Sequence, residues 1–295
     1  MKKFIVLIPL YNDWKSVSKL LKEIDLKVNN WDANVSIVIV NDASTEARSG
    51  IDSNYKKIQF IKILNMKKNT VHQRCIAAGL KYILKNENFD HVIVMDADGE
   101  DRPEELNDFY KKALENPNTT ITGNRFKRSE GVIFRFLYEV HKLLTLIFAG
   151  KLIKFGNFTC LPRKHIEQLV QKPFLWNTYS SSIIVAIKDR IPISSIRGVR
   201  YVLPSKMNFI TLVFHSLSII SVFRNTVILR SVMFSLIYIF LILNKISLFN
   251  LIPIFFLLSF VFTILKISTR SNIQGLNNSL DNIDSIDTLG SSNSR

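Results

Sequence analysis

Cysteine is nearly missing from this chain: 295 residues hold two, Cys75 and Cys160, far apart and each in apolar surroundings. No C-x-x-C pair is present, which excludes a thiol-based metal or redox centre and leaves two reduced, buried thiols of a cytosolic domain. No helix-turn-helix, zinc-finger or RNP pattern accompanies the basic charge, so nucleic acid is not the expected partner. The phosphate-binding pattern G-x-x-x-x-G-K-[ST] is absent too, which argues against an ATPase. There are no internal repeats. The opening MKKFIVLIPLYND lacks a small-residue cleavage site and ends its apolar run at Pro9, so it reads as a buried first strand rather than a signal peptide. Acidic residues are few: 24 Asp and Glu stand against 39 Lys and Arg, a net charge of +15. Basic clusters near the apolar C-terminal third favour anionic lipid or phosphorylated substrates as partners.

What is abundant is apolar. Hydrophobic residues make up 47% of the chain, with 21 Phe, and the excess concentrates after about Phe209. Before that point, β-branched runs recur at Phe4–Ile8, Val35–Val40, Ile58–Leu64, His91–Met95 and Thr119–Thr122. Amphipathic stretches alternate with them near Trp14–Val28, Val71–Lys85 and Pro103–Glu115. Continuous apolar strands between helices predict a three-layer α/β domain whose parallel sheet is covered on both faces. Further helices are expected at Val132–Phe148, Arg163–Val170 and Thr178–Lys188, with a short strand before Pro204.

The predicted organisation is a cytosolic catalytic domain over residues 1–205, an interfacial amphipathic helix over 206–224, a two-helix transmembrane hairpin over 225–267 and a disordered tail over 268–295. The tail is rich in Ser, Asn and Asp, which leaves little to bury. The hairpin consists of Thr226–Leu243 and Ile246–Leu265, each about the length of a bilayer core. Arg230 near the start of the first span could snorkel to the interface. Arg224, Arg230, Lys266 and Arg270 flank the outer ends, against Lys245 alone at the turn. That asymmetry predicts a multi-pass membrane protein with both termini and the catalytic domain in the cytoplasm. Hairpins of this kind are compatible with a homo-oligomer, without a specific interface being indicated.

In a parallel α/β sheet, ligands bind at the carboxyl ends of the strands. The polar residues there are Tyr11-Asn12-Asp13, Asn41-Asp42-Ala43-Ser44 and Asp96-Ala97-Asp98. The sharpest cluster is HVIVMDADGED, His91 to Asp101, in which a buried strand ends and presents Asp96 and Asp98. Such carboxylates suit Mg²⁺ or Mn²⁺, which take oxygen ligands and keep positions open for phosphate oxygens. Asp101 could cap the helix after Pro103 while Asp96 and Asp98 bind metal. Asp42 could accept hydrogen bonds from a uracil or guanine edge or a ribose, or serve as a turn residue. Pro9 and Tyr11 could shape a nucleotide pocket or simply end the strand. His72 could donate to a phosphate or the nucleotide, or cap and pack its helix. Gln73 and Arg74 follow it into the helix, whose N-terminal amides favour anions.

Taken together, IPLYND, VNDAST and D-x-D, in this order and spacing over roughly the first 125 residues, resemble the family 2 glycosyltransferases. Within that family the chain is similar to the dolichyl-phosphate mannosyltransferase and bactoprenol glucosyltransferase branch. The resemblance implies a GT-A-type fold, a hexosyltransferase of the cell envelope, and a UDP- or GDP-linked sugar donor. It implies a polyprenyl phosphate acceptor and a metal bound by Asp96, Asp98 and Glu100. It assigns the donor to Pro9, Tyr11, Asn12, Asp42, His72, Asp96, Arg200, Ser205 and Lys206, the last three from the segment Arg200–Lys206. It assigns the acceptor phosphate to Arg125, of a Gly123-Asn124-Arg125 motif after the fifth strand, and to Arg135. Asp96, Asp98 and Arg125 are then the catalytic set. Alternatives are a lipid-linked saccharide or another acceptor, and an inactive membrane scaffold that keeps the fold. The chain departs from the branch in lacking a glycine near Val71, in having Leu203 where a glycine is expected, in reading Phe155-Gly156-Asn157-Phe158 where an acidic segment is usual, and in having no carboxylate in Trp176–Ser182, where many relatives place a base. A phosphate monoester is already largely anionic near neutral pH, so such an acceptor needs positioning by cations more than deprotonation.

Overall fold

A computed structural model describes residues 1–52, 54–127, 132–202 and 209–290. The chain divides into two compact units. The first comprises Met1–Ser129, Lys154–Ser205 and Ile273–Arg295; the second comprises Glu130–Ile153 and Lys206–Asn272.

The first unit is built on eight strands: β1 (Lys2–Leu10), β2 (Ala33–Asn41), β3 (Ile58–Met66), β4 (His91–Val94), β5 (Thr120–Lys127), β6 (Phe155–Pro162), β7 (Arg190–Ile196) and β8 (Ile283–Gly290). They form one sheet in the order β7-β5-β6-β4-β1-β2-β3-β8. Strand β1 is central, parallel to β2 from Lys2↔Ala33 to Leu10↔Asn41 and parallel to β4 from Phe4↔His91 to Leu7↔Val94. Helices α1 (Trp14–Lys27), α2 (His72–Asn86) and α3 (Leu106–Glu115) fill the crossovers. Alternation along β1 feeds both faces. Phe4, Val6 and Ile8 join Val17, Leu20, Leu21 and Phe109 in one core cluster. Ile5 and Leu7 join Cys75, Ile76 and Leu80 in the other. Gly79 lets α2 lie close on the sheet, since a Cβ there would stand 2.4 Å from Leu7 Cδ1.

The sheet is mixed rather than parallel. β6 runs antiparallel to β4 and β5, and β8 antiparallel to β3. FGNFTCLP carries Gly, Asn and Pro and lacks the signature of a strand, yet it fills the place beside β4 that no parallel strand occupies. The expected strand before Pro204 lies earlier, as β7, and β5 extends to Lys127, so Gly123-Asn124-Arg125 sits within the strand rather than after it. The tail expected to be disordered is ordered over residues 273–290: α10 (Ile273–Asn277), a short 3₁₀ turn (Asn278–Asn282) and β8. Composition hid this because β8 is a polar edge strand, held by the free amide and carbonyl edge of β3 rather than by its own burial. α10 is anchored by Leu276, fully buried in the cluster of Trp176 and Tyr179. Two more helices, α5 (Arg163–Leu169) and α6 (Tyr179–Ala186), lie on that face.

The second unit is helical: α4 (Val132–Leu144) continuing into a wide turn at Thr145–Ala149, α7 (Phe209–Ser221), α8 (Arg224–Ile242) and α9 (Leu248–Ser268). Residues 130–153 therefore group with the C-terminal helices, not with the catalytic unit to which the sequence reading gave them. Helices α8 and α9 are long and apolar enough to cross a membrane by length and composition. A short turn at Leu243–Lys245 joins them, and the Ser247 side chain accepts a hydrogen bond from the Asn250 amide at the start of α9.

Truncating Leu276 tests whether the tail belongs to the fold. Leu276→Ala is expected to lower unfolding free energy by about 2–4 kcal/mol, as for a buried leucine in a packed core. Denaturant titration reads this directly, and an unchanged midpoint would return the segment to the disordered reading.

Candidate functional site

The carboxyl ends of β4, β1 and β2 lie side by side at the centre of the sheet. The β4 ladder stops at Leu7↔Val94, followed by a bond from the Met95 amide to the Leu7 carbonyl. Pro9 sits buried just beyond, where a proline costs the β4 side nothing. The next residues turn sharply. Asn12 has φ 49° and stitches the first loop to the second: its amide donates to Ser44 Oγ at 2.9 Å, and its Oδ1 accepts from the amides of Thr45 and Glu46. Tyr11 is left 43% exposed beside it. Asn12 is thus occupied in holding the loops, while Tyr11 is accessible.

Asp42 points inward. It is 3% exposed, and both carboxylate oxygens are used: Oδ1 accepts from the Thr70 amide at 2.6 Å and the Thr70 hydroxyl at 3.1 Å, and Oδ2 accepts from the Val71 amide at 3.0 Å. Of the two roles the sequence offered Asp42, nucleotide acceptor or turn residue, these bonds are those of the turn: the carboxylate clamps a bend. That bend is unusual. Val71 has φ 78° and ψ 146°, a region almost reserved for glycine and a strained one for a β-branched side chain. The glycine expected near Val71 is missing, but the conformation it would serve is present, and the Asp42 hydrogen bonds hold it.

The bend starts α2 and delivers His72 to the end of β4. His72 Nε2 lies 3.1 Å from Asp96 Oδ1. Asn157 Nδ2 donates to the same oxygen at 3.0 Å and lies 2.9 Å from His72 Nε2. Asn157 Oδ1 accepts from Gln73, and Gln73 Oε1 accepts from the Tyr179 amide at 2.7 Å, the first residue of α6. Sequence reasoning singled out Asn157 only as a departure from an acidic segment. Its signal was unreadable without knowing that β6 runs antiparallel, which brings the start of that strand beside the end of β4.

After Asp96 the chain makes a tight acidic loop. Asp101 does not cap the following helix, which has no side-chain cap; it turns back into the loop, 1% exposed. Its Oδ2 accepts from the Asp96 amide at 2.9 Å and its Oδ1 from Arg125 at 3.1 Å. Arg125, 12% exposed in its side chain, is engaged by this ion pair.

A second segment, residues 197–202, lies across the loop. The Tyr201 amide donates to the Asp98 carbonyl at 2.9 Å and the Gly198 amide to the Glu100 carbonyl at 2.8 Å. The approach requires glycine twice. A Cβ on Gly99, which has φ 85°, would meet the Tyr201 ring at 2.6 Å, and one on Gly198 would meet the Gly99 carbonyl at 2.5 Å. The strap brings two arginines: Arg200 bonds Asp98 Oδ2 at 2.6 Å and reaches Asp13 at 3.5 Å, and Arg197 pairs with Glu100 at 2.5 Å. The Tyr201 hydroxyl bonds Glu23 of α1, and Lys19 sits 4.4 Å from its ring centre. Ser205 and Lys206 lie outside the described residues, as does the Arg135 side chain.

The electrostatics follow from crowding. Burial and then the charges of Asp96 and Glu100 push Asp98 up to about 6. Burial and Asp96 outweigh Arg125 and push Asp101 up to about 7. Burial opposes ionisation of Asp96 too, but His72, Asn157 and Arg125 reverse the balance and hold it below the ordinary range. Burial likewise disfavours a charged His72, yet Asp96, Asp98 and Asp101 raise its pKa above the usual histidine value. Among the described residues no set of three or more His, Cys, Asp and Glu donors is preassembled around one point. The hard oxygens of Asp96 and Asp98 nonetheless fit a divalent cation that takes its remaining ligands from water and phosphate. Arginine cations now balance Asp98 and Glu100, and Glu100 would have to release Arg197 to serve as a ligand.

The Glycosyl transferase family 2 profile matches residues 5–168, more than half of the chain, and the chain belongs to that family. It is 25% identical over 202 residues to an uncharacterised glycosyltransferase of Synechocystis sp., covering 63% of this chain and 61% of that one. It is 23% identical over 189 residues to the undecaprenyl-phosphate 4-deoxy-4-formamido-L-arabinose transferase of Klebsiella pneumoniae, covering 63% of this chain and 55% of that one. The chain thus spans less than two thirds of the length of these curated relatives. Among solved structures, residues 1–349 of TarS from S. aureus match with TM-score 0.51 and 14% identity, over 96% of this chain and 89% of that one. The mannosyl-3-phosphoglycerate synthase of Rubrobacter xylanophilus matches with TM-score 0.52 and 13% identity, over 76% and 73%. The fold is GT-A-like, as the sequence motifs implied, and the family 2 domain is that of a glycosyltransferase.

Two substitutions test the clamp under α2. Asp42→Ala leaves the Thr70 and Val71 amides without their acceptor and is expected to cost about 2–3 kcal/mol. Val71→Gly removes the side-chain strain at φ 78° and, after the entropy cost of glycine, is expected to gain about 1 kcal/mol. Chemical denaturation measures both; loss of stability in Val71→Gly would show that the bend is not strained.

Proposed function

We propose that this chain is a membrane-anchored, inverting hexosyltransferase that moves a sugar from a UDP- or GDP-linked donor to a polyprenyl phosphate. The observation that carries the reading is the carboxylate pair Asp96 and Asp98 at the end of a buried central strand, with Arg200 brought onto it by a strap from 100 residues further on. The Klebsiella relative named for transfer to undecaprenyl phosphate, and the apolar helices α8 and α9, support the lipid acceptor and the anchor.

Mg²⁺ or Mn²⁺ at Asp96 and Asp98 would offset the charge of the departing nucleoside diphosphate. The protein groups have separate tasks. Arg200, planar and always charged, is suited to diphosphate oxygens as well as to Asp98. Tyr11 supplies an exposed ring at the end of β1 for the nucleotide side. Asn157 and His72 orient the Asp96 carboxylate, Asp42 fixes the bend that carries His72, and Arg125 with Asp101 fixes the loop backbone at Asp96. Ser205 and Lys206, by the family resemblance, would add a hydroxyl and a cation for the donor phosphates.

In the transfer, an acceptor phosphate oxygen attacks the anomeric carbon from the face opposite the donor. The bond from that carbon to the diphosphate oxygen breaks, and its electron pair leaves with the nucleoside diphosphate. No proton need be removed from an acceptor that is already anionic. This agrees with the side chains of Trp176–Ser182, which contain no carboxylate.

The test uses the full chain in detergent with a panel of UDP- and GDP-sugars, Mn²⁺ or Mg²⁺, and undecaprenyl phosphate. One donor is expected to yield a labelled lipid, with the rate falling at least ~100-fold in Asp98→Ala, the scale seen when a group that stabilises transition-state charge is removed. Chelation should abolish the product as well. Transfer to undecaprenol but not to its phosphate would overturn the acceptor. Full activity in chelator would overturn the metal.

A further inference from the structure

One charged side chain lies where an apolar helix should have none. Arg230 stands six residues beyond the start of α8 and Phe234 ten, about 9 and 15 Å along the axis at ~1.5 Å per residue. Arg230 does not snorkel outward. Its Nη1 donates to the carbonyls of Leu146 and Ile147 at 3.0 and 2.8 Å, at the end of the helical run that α4 begins. The run stops at Gly150, φ 66°, where a Cβ would stand 2.7 Å from Arg230 Nη2. A helix end carries open carbonyls and partial negative charge, which water satisfies when water is present. A guanidinium is needed where it is not.

The rings set the depth. Phe148 packs on Phe234, 6.0 Å between centroids, and on Phe260 at 4.6 Å. Phe260 lies eight residues before the end of α9, about 12 Å from it. Leu144 and Phe148 face the helices, joining the cluster of Ile220, Val227 and Ile264. The opposite side is apolar and open: Leu143, Leu146 and Ile147 are 56%, 43% and 37% exposed.

The geometry points to residues 143–150 as a membrane-inserted element, a turn that enters the hydrocarbon beside α8 and α9 and is held there by Arg230. Its partner is the lipid acyl region itself. Continuity with the two spans identifies that occupant, because the turn touches them at a third to half of their length. Lys151, next to Gly150, has a stem long enough to keep its ammonium among the headgroups. The inference rests on α8 and α9 spanning a bilayer, as proposed above.

The full chain with Ile147→Cys, carrying a nitrobenzoxadiazole label, is reconstituted in phosphatidylcholine vesicles with doxyl lipids or aqueous iodide as quencher. Phe255→Cys in α9 is the reference, Leu146→Cys a second reporter, and the unsubstituted chain, whose two cysteines are buried, the labelling blank. Doxyl lipid is expected to quench Ile147 at least half as strongly as Phe255, with several-fold weaker quenching by iodide. Iodide quenching at Ile147 and Leu146 with lipid quenching at Phe255 would overturn the insertion and leave the spans. No quenching of Ile147 by either agent would overturn it in favour of a protein cover, such as a second copy. Absence of lipid quenching at Phe255 would remove the membrane reading and the insertion with it.

Discussion

Negative charge crowded at the end of one strand is the constraint around which the first unit is organised. Asp96, Asp98, Glu100 and Asp101 fall within six residues, and ionised carboxylates so close raise each other's cost of ionisation. The fold answers with cations from distant parts of the chain: His72 from the start of α2, Arg125 from β5, Arg197 and Arg200 from the strap after β7. Each cation meets a particular carboxylate oxygen, so charge balance also fixes geometry. Removing one partner of such a buried pair would leave the other uncompensated, which is costlier than losing the pair as a whole.

A second layer holds the first in place. Asp42 bonds Thr70 and Val71, and through them it bears on the acidic loop by setting the direction in which α2 delivers His72. Strain at Val71 and the hydrogen bonds of Asp42 act against each other over two residues. Strained backbone persists only where its surroundings over-determine it, and a functional site is where such an arrangement is expected. Gln73 extends the layer across to α6, so one polar chain of Gln73, Asn157, His72 and Asp96 ties α2, β6, the end of β4 and α6 together.

Much of this was legible in the sequence. The β-branched runs before Asn41 and Asp96 and the amphipathic stretches between them predicted β1 to β4 and α1 to α3, because burial on both faces demands continuous apolar strands. The position of Asp96 and Asp98 at a strand end followed from the same pattern. What stayed hidden depends on pairing rather than composition. β8 buries little of its own and exists because the edge of β3 is free, while β6 is buried from Phe158 on but is interrupted by Gly156, Asn157 and Pro162, so neither carries a readable period. Asn157 became a site residue through the direction of β6, and Arg125 turned inward through the buried Asp101. No local pattern could join Arg200 to Asp98 across 100 residues, although the basic segment itself was visible.

Strand β8 has a consequence in time as well as in space. It occupies the outer edge of β3, but it is translated after α9, more than 200 residues later than its partner. During synthesis the sheet therefore stands with β3 unclosed while both long apolar helices emerge from the ribosome. The globular unit is completed last, by a strand that must return from beyond the apolar segment. Until residues 283–290 pair with it, β3 keeps an open edge of unpaired amides and carbonyls, the kind of surface that invites pairing with another chain.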